Sequence, residues 1–282
     1  MNYRHSFHAG NFADVFKHAL WQLCLAYFNQ KDKPYLVVDT HAGIGMYDLR
    51  GEQAQKTQEW ELGVGRLLAA QDVPAALQPY LNEIRALNTR EEAGIRWYPG
   101  SPWLTQQTIR AQDQAVFCEL HPLDGEQLKQ NFYADERIQV ETQTNGYQAL
   151  KAKLPPRQKR GAVLIDPPFE QTDEFAQVVS ALQAGLKRFA TGTYVVWYPI
   201  KDPLSIGQFH QQVKALNPPK TYAVDLLIRD PEDAQRLNGC GMLFINPPFG
   251  VLQQVPEIMP WLTALLAQAP GASWQAQWVV AE

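Results

Sequence analysis

The stretch from residue 162 to Phe169 limits the possible folds of this chain more than any other part. Residues 162–165 (Ala-Val-Leu-Ile) are an apolar run with β-branched members, which predicts a short strand buried on both faces of a parallel sheet. Asp166 ends the run, and Pro167 and Pro168 then prevent further ladder pairing. Ligands bind outside the carboxyl ends of strands in open α/β sheets. We therefore expect a carboxylate, a rigid turn and the ring of Phe169 at the mouth of a ligand site.

These groups suit the methylation of an exocyclic amine on a nucleobase. The lone pair of such an amine is delocalised into the ring, so the nitrogen is a weak nucleophile. The Asp166 carboxylate and the Pro167 carbonyl can accept its two N–H bonds, and Phe169 can stack on the base, worth about 1–3 kcal/mol. The pattern resembles the catalytic motif of S-adenosylmethionine-dependent amino-methyltransferases. The alternative is a strand and a proline turn in which Asp166 caps a helix.

A second copy of the motif occurs at residues 246–249 (Asn-Pro-Pro-Phe). Chain order distinguishes the two copies. Asp166 follows the fourth predicted strand, which lies beside the first strand at the switch point of the sheet. Asn246 follows a hairpin predicted at the sheet edge, several strands away. We therefore expect Asp166 to be catalytic and the second copy to be a structural turn.

The first predicted strand, residues 35–38, ends at Asp39 and is followed by a turn that contains Gly43 and Gly45. Glycines in such a turn allow the backbone to approach a cofactor closely. The third glycine of the dinucleotide-binding fingerprint is missing. This disfavours a nicotinamide or flavin enzyme and favours a methionine-nucleoside cofactor.

Polar residues also follow the second and third predicted strands. The strand at residues 115–118 ends at Glu119, and an acid at this position can bind ribose hydroxyls. The strand at residues 138–140 leads to Asn145 and Gly146. Asn145 can bind an adenine edge, or it can supply the left-handed conformation of a turn.

The length of 282 residues suits one large α/β domain over residues 1–282. Leucines recur at helical spacings in residues 47–95, which predicts a helical insertion that either lines a substrate cleft or only covers the sheet.

The three cysteines are far apart and form no C-x-x-C pair, so we expect reduced thiols in a cytoplasmic protein. We expect no signal peptide and no membrane span.

The net charge of −4 argues against a protein that coats nucleic acid non-specifically. One local basic stretch, residues 151–160, is either a nucleic-acid contact or a solvated loop.

Residues 1–18 are unusually rich in groups that hydrogen-bond, stack or carry charge. They include Tyr3, Arg4, His5, Phe7, His8, Lys17 and His18. The histidines lack standard ligand spacing, so we expect no metal, and a lid or substrate-contacting tail is favoured over a frayed terminus.

Seven blocks of sequence together closely resemble the bacterial ribosomal RNA large subunit methyltransferase J family, over essentially the whole chain. The blocks are residues 3–11, 14, 17–18, 39–43, 98–102, 119–122 and 166–169. The resemblance implies a Rossmann-like class I S-adenosylmethionine methyltransferase fold, with a mostly parallel seven-stranded sheet and an inserted helical subdomain. It also implies N6-methylation of one adenine in 23S ribosomal RNA.

The resemblance implies a catalytic role for Asp166, to which the motif adds Pro167 and Phe169. It implies RNA contact by Tyr3, to which we add Arg4 and His5. The cofactor-binding residues expected from the resemblance and from the strand ends are Lys17, His18, Asp39, His41, Gly43, Ser101, Glu119, Asn145, Gly146 and Asp166. One position departs from the family, which often has Asp where this chain has Asn145.

Several alternatives remain open at this point. The expected partner is 23S ribosomal RNA, either protein-free or in an early assembly particle, and we expect a monomer. An adenine-N6 methyltransferase acting on DNA, or a glutamine methyltransferase acting on protein, would use the same motif. A non-catalytic RNA-binding or assembly factor on a methyltransferase scaffold is the alternative from another functional class.

Overall fold

The computed structural model describes residues 4–89 and 94–281. Its strands form one large sheet and one small sheet. The strands are β1 (Leu36–Asp39), β2 (Met46–Asp48), β3 (Trp97–Pro99), β4 (Gln114–Glu119), β5 (Ile138–Thr142), β6 (Gly161–Ile165), β7 (Thr193–Ile200), β8 (Thr221–Leu227), β9 (Gly239–Ile245) and β10 (Ser273–Val280).

The α-helices pack on both faces of the large sheet and also form the segment between β2 and β3. They are α1 (Phe12–Asn29), α2 (Glu52–Thr57), α3 (Val64–Ala69), α4 (Gln78–Leu87), α5 (Ser101–Thr108), α6 (Pro122–Phe132), α7 (Gly146–Lys153), α8 (Glu174–Arg188), α9 (Pro203–Ala215) and α10 (Phe249–Leu266). Short 3₁₀ turns occur at His5–Phe7, Glu59–Leu62 and Ala75–Leu77. No helix in the described parts of the chain is long and apolar enough to cross a membrane.

The large sheet has the strand order β10-β8-β9-β7-β6-β1-β4-β5. The strands from β7 to β5 in this order are parallel, and β9 runs antiparallel to both of its neighbours. The carboxyl ends of β1, β4, β5 and β6 therefore lie side by side at the same end of the strands. This confirms the predicted α/β class with a mostly parallel sheet.

The predicted number of seven strands is wrong, because the large sheet has eight. The strand at the far edge is β10, which pairs antiparallel with β8. The buried strand β8 would otherwise present an unpaired ladder edge to solvent, which proteins commonly cover. Gln275 on β10 also donates to the buried Asp225 carboxylate over 3.0 Å, so the added strand supplies a polar partner as well as a backbone ladder.

Two apolar cores, one on each face of the large sheet, explain why the central strands are continuously apolar. Val37 and Leu164 belong to the core that α1 and α10 cover. Val38 and Val163 point to the opposite face and belong to the core that α7, α8 and α9 cover. A strand that alternates between two buried faces has no solvent side, so its polar positions are confined to its ends.

The segment between β2 and β3 is helical, as the leucine spacing predicted. The two strands pair antiparallel, with Met46 opposite Pro99, and so close the base of the insertion. Arg66 on α3 donates to the carbonyls of Leu265 and Ala267 over 3.1 and 2.6 Å, which ties the insertion to the end of α10. The domain bounds of residues 47–95 stay a prediction.

Replacing Leu164 by alanine should lower the free energy of unfolding by about 2–5 kcal/mol, because the side chain is fully buried at the centre of the sheet. Urea denaturation followed by circular dichroism measures the change. Leu204→Ala is the control, since this leucine is 76% exposed and its loss should cost within about 0.5 kcal/mol. Equal losses in both variants would contradict the described core.

Candidate active site

A cavity of about 720 Å³ lies where the carboxyl ends of the parallel strands meet the beginning of α1. Most of the residues predicted to form the site line it. These are His5, Lys17, His18, His41, Gly43, Ser101, Glu119, Asn145, Gly146, Asp166, Pro167 and Phe169. Asp39 and Arg4 lie nearby but do not line the cavity, and Tyr3 is outside the described residues.

An ion-paired lysine connects α1 to the end of β6. Asn11 begins α1 by accepting the Asp14 amide over 3.0 Å, and the helical spacing then puts Asp14 and Lys17 on one face. The Lys17 ammonium contacts Asp14 at 2.8 Å and Asp166 at 2.5 Å. Burial lowers the pKa of Lys17, but the two carboxylates more than compensate and hold it well above its ordinary value. Lys17 therefore stays charged and fixes the position of Asp166.

Phe169 is held in an uncommon backbone conformation beside this carboxylate. Its φ of 50° lies in the left-handed region, which costs about 1–3 kcal/mol for a bulky residue and is found mainly at functional sites. Its ring packs against Phe175, with centroids 4.9 Å apart, and against Trp197 at 5.9 Å. The strained turn is thus supported by an aromatic cluster, and two of its residues, Phe169 and Trp197, line the cavity.

Asp39 is fully buried behind the turn that follows β1 rather than exposed to the cavity. Its carboxylate accepts hydrogen bonds from the Ser101 hydroxyl at 2.7 Å and from the His41 amide at 3.3 Å. Burial raises the pKa of Asp39 to about 7, although these two bonds lower it. Asp39 thus bonds to Ser101 and to the turn after β1 and does not line the cavity, and its expected contact with a cofactor stays a prediction.

Gly43 and Glu119 link the turns after β1 and β4. Gly43 has a φ of +62°, and a Cβ atom there would lie 2.1 Å from the Tyr47 hydroxyl. The Gly43 amide donates to Glu119 over 2.8 Å, and the His121 amide donates to the other carboxylate oxygen over 2.7 Å. Burial raises the pKa of Glu119, and the two amide bonds oppose it. The carboxylate is therefore oriented by backbone groups at the cavity wall.

Asn145 begins α7 instead of forming a left-handed turn. Its φ is −68°, and its side-chain oxygen accepts from the amides of Tyr147 and Gln148. The left-handed alternative is therefore wrong, because helix capping requires an extended conformation at this position. A Cβ atom on Gly146 would lie 2.0 Å from the Thr40 carbonyl, so only glycine lets this loop pack on the turn after β1.

Two histidines in the cavity are neutral. His18 makes a 2.7 Å hydrogen bond to Tyr98, whose hydroxyl in turn meets that of Tyr80 at 2.8 Å. Burial, reinforced by Lys17, lowers the pKa of His18 well below its ordinary value, although Asp14 opposes the shift. Burial also lowers the pKa of His41 to about 3. Both rings can therefore donate or accept hydrogen bonds without adding positive charge.

The N-terminal segment lies across one side of the cavity. The Arg4 guanidinium contacts Asp124 on α6 at 2.8 Å, so it is engaged with protein rather than directed into the cavity. His5 lies 2.9 Å from Asp14 and lines the cavity, and contact of this segment with a substrate stays a prediction. His8 contacts Glu59 of the insertion at 3.0 Å, and this raises the pKa of His8. The insertion thus contributes to the cavity wall.

Sequence reasoning missed several polar residues of the cavity. Asp14 had a visible signal, since it precedes Lys17 by three residues in a predicted helix. Glu59 and Glu174 had none, because their partners are distant in sequence. The Tyr147 hydroxyl donates to the buried Glu174 carboxylate over 2.6 Å and joins the α7 loop to α8. Within residues 4–89 and 94–281, no His, Cys, Asp or Glu group suits a metal ion.

The second motif copy lies at the opposite end of the strands of the large sheet, where β7 and β8 begin. Ile245 pairs with Tyr194 and Thr221 at the beginnings of β7 and β8, so Asn246 is remote from the cavity. The side-chain NH₂ group of Asn246 donates to the carbonyls of Ala190 and Gly192 over 2.8 and 2.7 Å. This copy is a turn in which Asn246 holds the chain before β7.

Comparison with known proteins gives one consistent result. The profile of the family described as "Ribosomal RNA large subunit methyltransferase D, RlmJ" matches residues 32–280. Two proteins named "Ribosomal RNA large subunit methyltransferase J", from Escherichia coli (strain K12) and Haemophilus influenzae, are 40% and 39% identical over 282 residues and over 100% of both chains. Protein LPL1258 from Legionella pneumophila has a crystal structure with a TM-score of 0.87 and 32% identity, covering 96% of this chain and 98% of its own.

The raised pKa of Asp39 predicts a pH-dependent stability. An aspartate in an unfolded chain has a pKa of about 3.9. Between about pH 4 and pH 7 the folded protein keeps a proton that the unfolded chain has lost, so this residue's contribution to the free energy of unfolding falls as pH rises. Asp39→Asn does not titrate, so the variant-minus-wild-type free energy of unfolding should rise across this window and then stay level.

Urea denaturation at a series of pH values measures this difference. Asp72→Asn, at an exposed carboxyl group, is the control for the loss of one charge. A difference for Asp39→Asn that is independent of pH would show that the buried carboxyl is ionised over the whole range.

Proposed function

The chain belongs to the ribosomal RNA large subunit methyltransferase J family, and we propose that it methylates N6 of one adenine in 23S ribosomal RNA, with S-adenosylmethionine as the methyl donor. Family membership makes the chain an rRNA methyltransferase. The observation that supports the finer assignment is the turn of Asp166, Pro167 and Phe169, whose carboxylate Lys17 fixes at a cavity that also contains the Gly43 loop.

The residues of the cavity fit S-adenosylmethionine, which carries a sulfonium and an ammonium group. Seven acidic residues line the cavity, against two lysines. The acids are Asp14, Glu59, Glu119, Asp124, Asp166, Glu170 and Glu174. A cavity with this excess of carboxylates favours a cationic ligand. Gly43 and Gly146 allow their loops to pack closely against Tyr47 and the Thr40 carbonyl, where a Cβ atom would clash, and both glycines line the cavity.

Individual residues would hold different parts of the cofactor. Each Glu119 oxygen accepts one backbone amide and keeps capacity to accept from a ribose hydroxyl. The Asn145 oxygen is used by the cap of α7, so its NH₂ group is the part that can bind an adenine ring nitrogen. His18, His41 and Ser101 offer neutral polar groups at the same wall.

S-Adenosylmethionine, when bound, supplies an activated methyl group. The protein's task is then to position the amine, and positioning is the largest contribution available to such an enzyme. The Lys17 ammonium donates a hydrogen bond to Oδ2 of Asp166. Oδ1, which has no hydrogen-bond partner in the described part of the protein, is left to accept one N–H bond of the adenine amine, and the Pro167 carbonyl accepts the other. No strong base is required, because the amine becomes acidic as it is methylated.

The target adenine must leave its stack to reach this cavity. Extrusion costs a few kcal/mol. Stacking on Phe169, worth about 1–3 kcal/mol, and the hydrogen bonds to the amine offset this cost. The left-handed conformation of Phe169 and the packing of Phe175 against it favour a ring position that is fixed before the base arrives.

Transfer of tritium from labelled S-adenosylmethionine to protein-free 23S ribosomal RNA, followed by nucleoside analysis, tests the proposal. We expect label in N6-methyladenosine. Label only on DNA or on a glutamine-containing protein would keep the chemistry and overturn the substrate, and no transfer to any of them would favour a non-catalytic assembly factor. Parallel reactions with large-subunit particles test whether protein-free RNA is preferred, and sedimentation tests the expected monomer.

Asp166→Ala should lower the rate of transfer at least about a hundredfold while cofactor binding is retained, because the carboxylate that orients the amine is lost. Lys17 keeps its contact with Asp14, so the buried ammonium stays paired in the variant. Calorimetric titration with S-adenosylmethionine verifies binding. Retained turnover would overturn the catalytic assignment.

Phe169→Ala should lower kcat/KM for RNA by about 5- to 150-fold, which corresponds to the loss of one stacking interaction. Phe249 occupies the same position in the second motif copy and is 58% exposed, so Phe249→Ala is the matched control. The control should be as active as the unchanged protein. Equal losses in the two variants would show that Phe169 does not stack on the substrate.

A further inference from the structure

The acidic active-site cavity raises a question of charge for an enzyme that binds RNA. Its seven carboxylates oppose two lysines, and the whole chain has a net charge of −4. RNA is a polyanion, and affinity for its backbone comes mainly from lysine and arginine contacts to phosphates. The cavity can bind the target base, but it cannot attract the phosphates around it. Phosphate contacts must therefore lie elsewhere on the molecule.

A groove lined by basic residues lies at the other end of the strands of the large sheet, where the parallel strands begin. Two adjoining cavities of about 590 and 300 Å³ share Ala190 and Pro219. Their lining includes Lys31, Lys159, Arg160 and Lys187 and contains no acidic residue. We call these two adjoining cavities the basic groove. It includes the end of the basic stretch at residues 151–160 and the prolines of the second motif copy.

The fold explains why basic side chains are concentrated at this end of the strands. α1 and α8 run opposite to the parallel strands, so both helices end here, and helix C-termini favour positive charge. Arg160 is already used, because its guanidinium donates to the carbonyls of Phe28 and Lys33. Lys31, Lys159 and Lys187 are exposed and have no ion-pair partner in the described ranges of the chain. These three ammonium groups remain available to a ligand.

We propose that the basic groove binds backbone phosphates of the substrate RNA, in a segment that flanks the target adenine; this rests on the proposed function. β6 connects the two sites, with Gly161 in the groove and Asp166 directly after its other end. Its five buried residues separate the two sites by about 17 Å through the core, so RNA that contacts both must pass around the outside of the sheet and its helices. Tyr27 in the groove wall offers a ring for an unpaired base.

A charge-reversal experiment on the full-length protein tests the groove. The variant Lys31→Glu/Lys159→Glu should raise KM for 23S ribosomal RNA about tenfold or more and leave kcat unchanged. The slope of log(kcat/KM) against log salt concentration should decrease by about one for each lysine. A short hairpin that contains only the methylated adenine and its neighbours cannot reach the groove, so its kinetics should not change.

The matched control is Lys56→Glu/Lys129→Glu, which produces the same net charge at exposed lysines outside the groove. Equal effects of the two double variants would overturn the groove and leave only a general charge effect. No effect of Lys31→Glu/Lys159→Glu would also overturn it and leave these lysines as partners of the helix C-termini. Failure of the unchanged protein to methylate any RNA would instead refute the proposed function, so the two failures are distinguishable.

Discussion

The contact of Lys17 with Asp14 and Asp166 is the interaction on which the rest of the site depends. A buried charge is costly unless it is paired, and removing one partner of such a pair commonly costs 3–5 kcal/mol. Here one ammonium group satisfies two carboxylates from elements that are far apart in sequence. The first turn of α1 is thereby fixed against the end of β6. Other cavity residues, such as His5 and His18, take their positions from the same helix turn.

Charge is separated along the strand direction of the large sheet. Carboxylates collect where the parallel strands end, and lysines collect where α1 and α8 end. Both distributions follow from the α/β architecture, in which helices return antiparallel to the strands and place their C-termini at the opposite edge. The acidic edge suits a cationic cofactor, and the basic edge suits a polyanion. The net charge of −4 conceals this arrangement, which is visible only when each residue is assigned to one end of the strands.

Local sequence was sufficient wherever one short segment determines its own structure. The apolar run before Asp166 gave a central strand, and the glycines after Asp39 gave a tight loop. It was insufficient where a distant partner decides. The count of seven strands, which the resemblance implied, was wrong because β10 adds an eighth by pairing with β8, and the bond from Gln275 to Asp225 supports this pairing. The left-handed alternative for Asn145 was wrong because the helix that follows determined its backbone conformation.

The sequence by itself determined the α/β class, the family and the position of Asp166 at a strand end, because these depend on periodicity, strand order and short motifs. Tertiary structure decided which groups meet. Asp39 bonds to Ser101 behind the loop, Lys17 lies between two carboxylates, and Asn246 lies at the opposite edge from Asp166. The physical reason is that hydrogen bonds and ion pairs depend on distances in space, and neither composition nor spacing along the chain specifies the distance between residues on different elements.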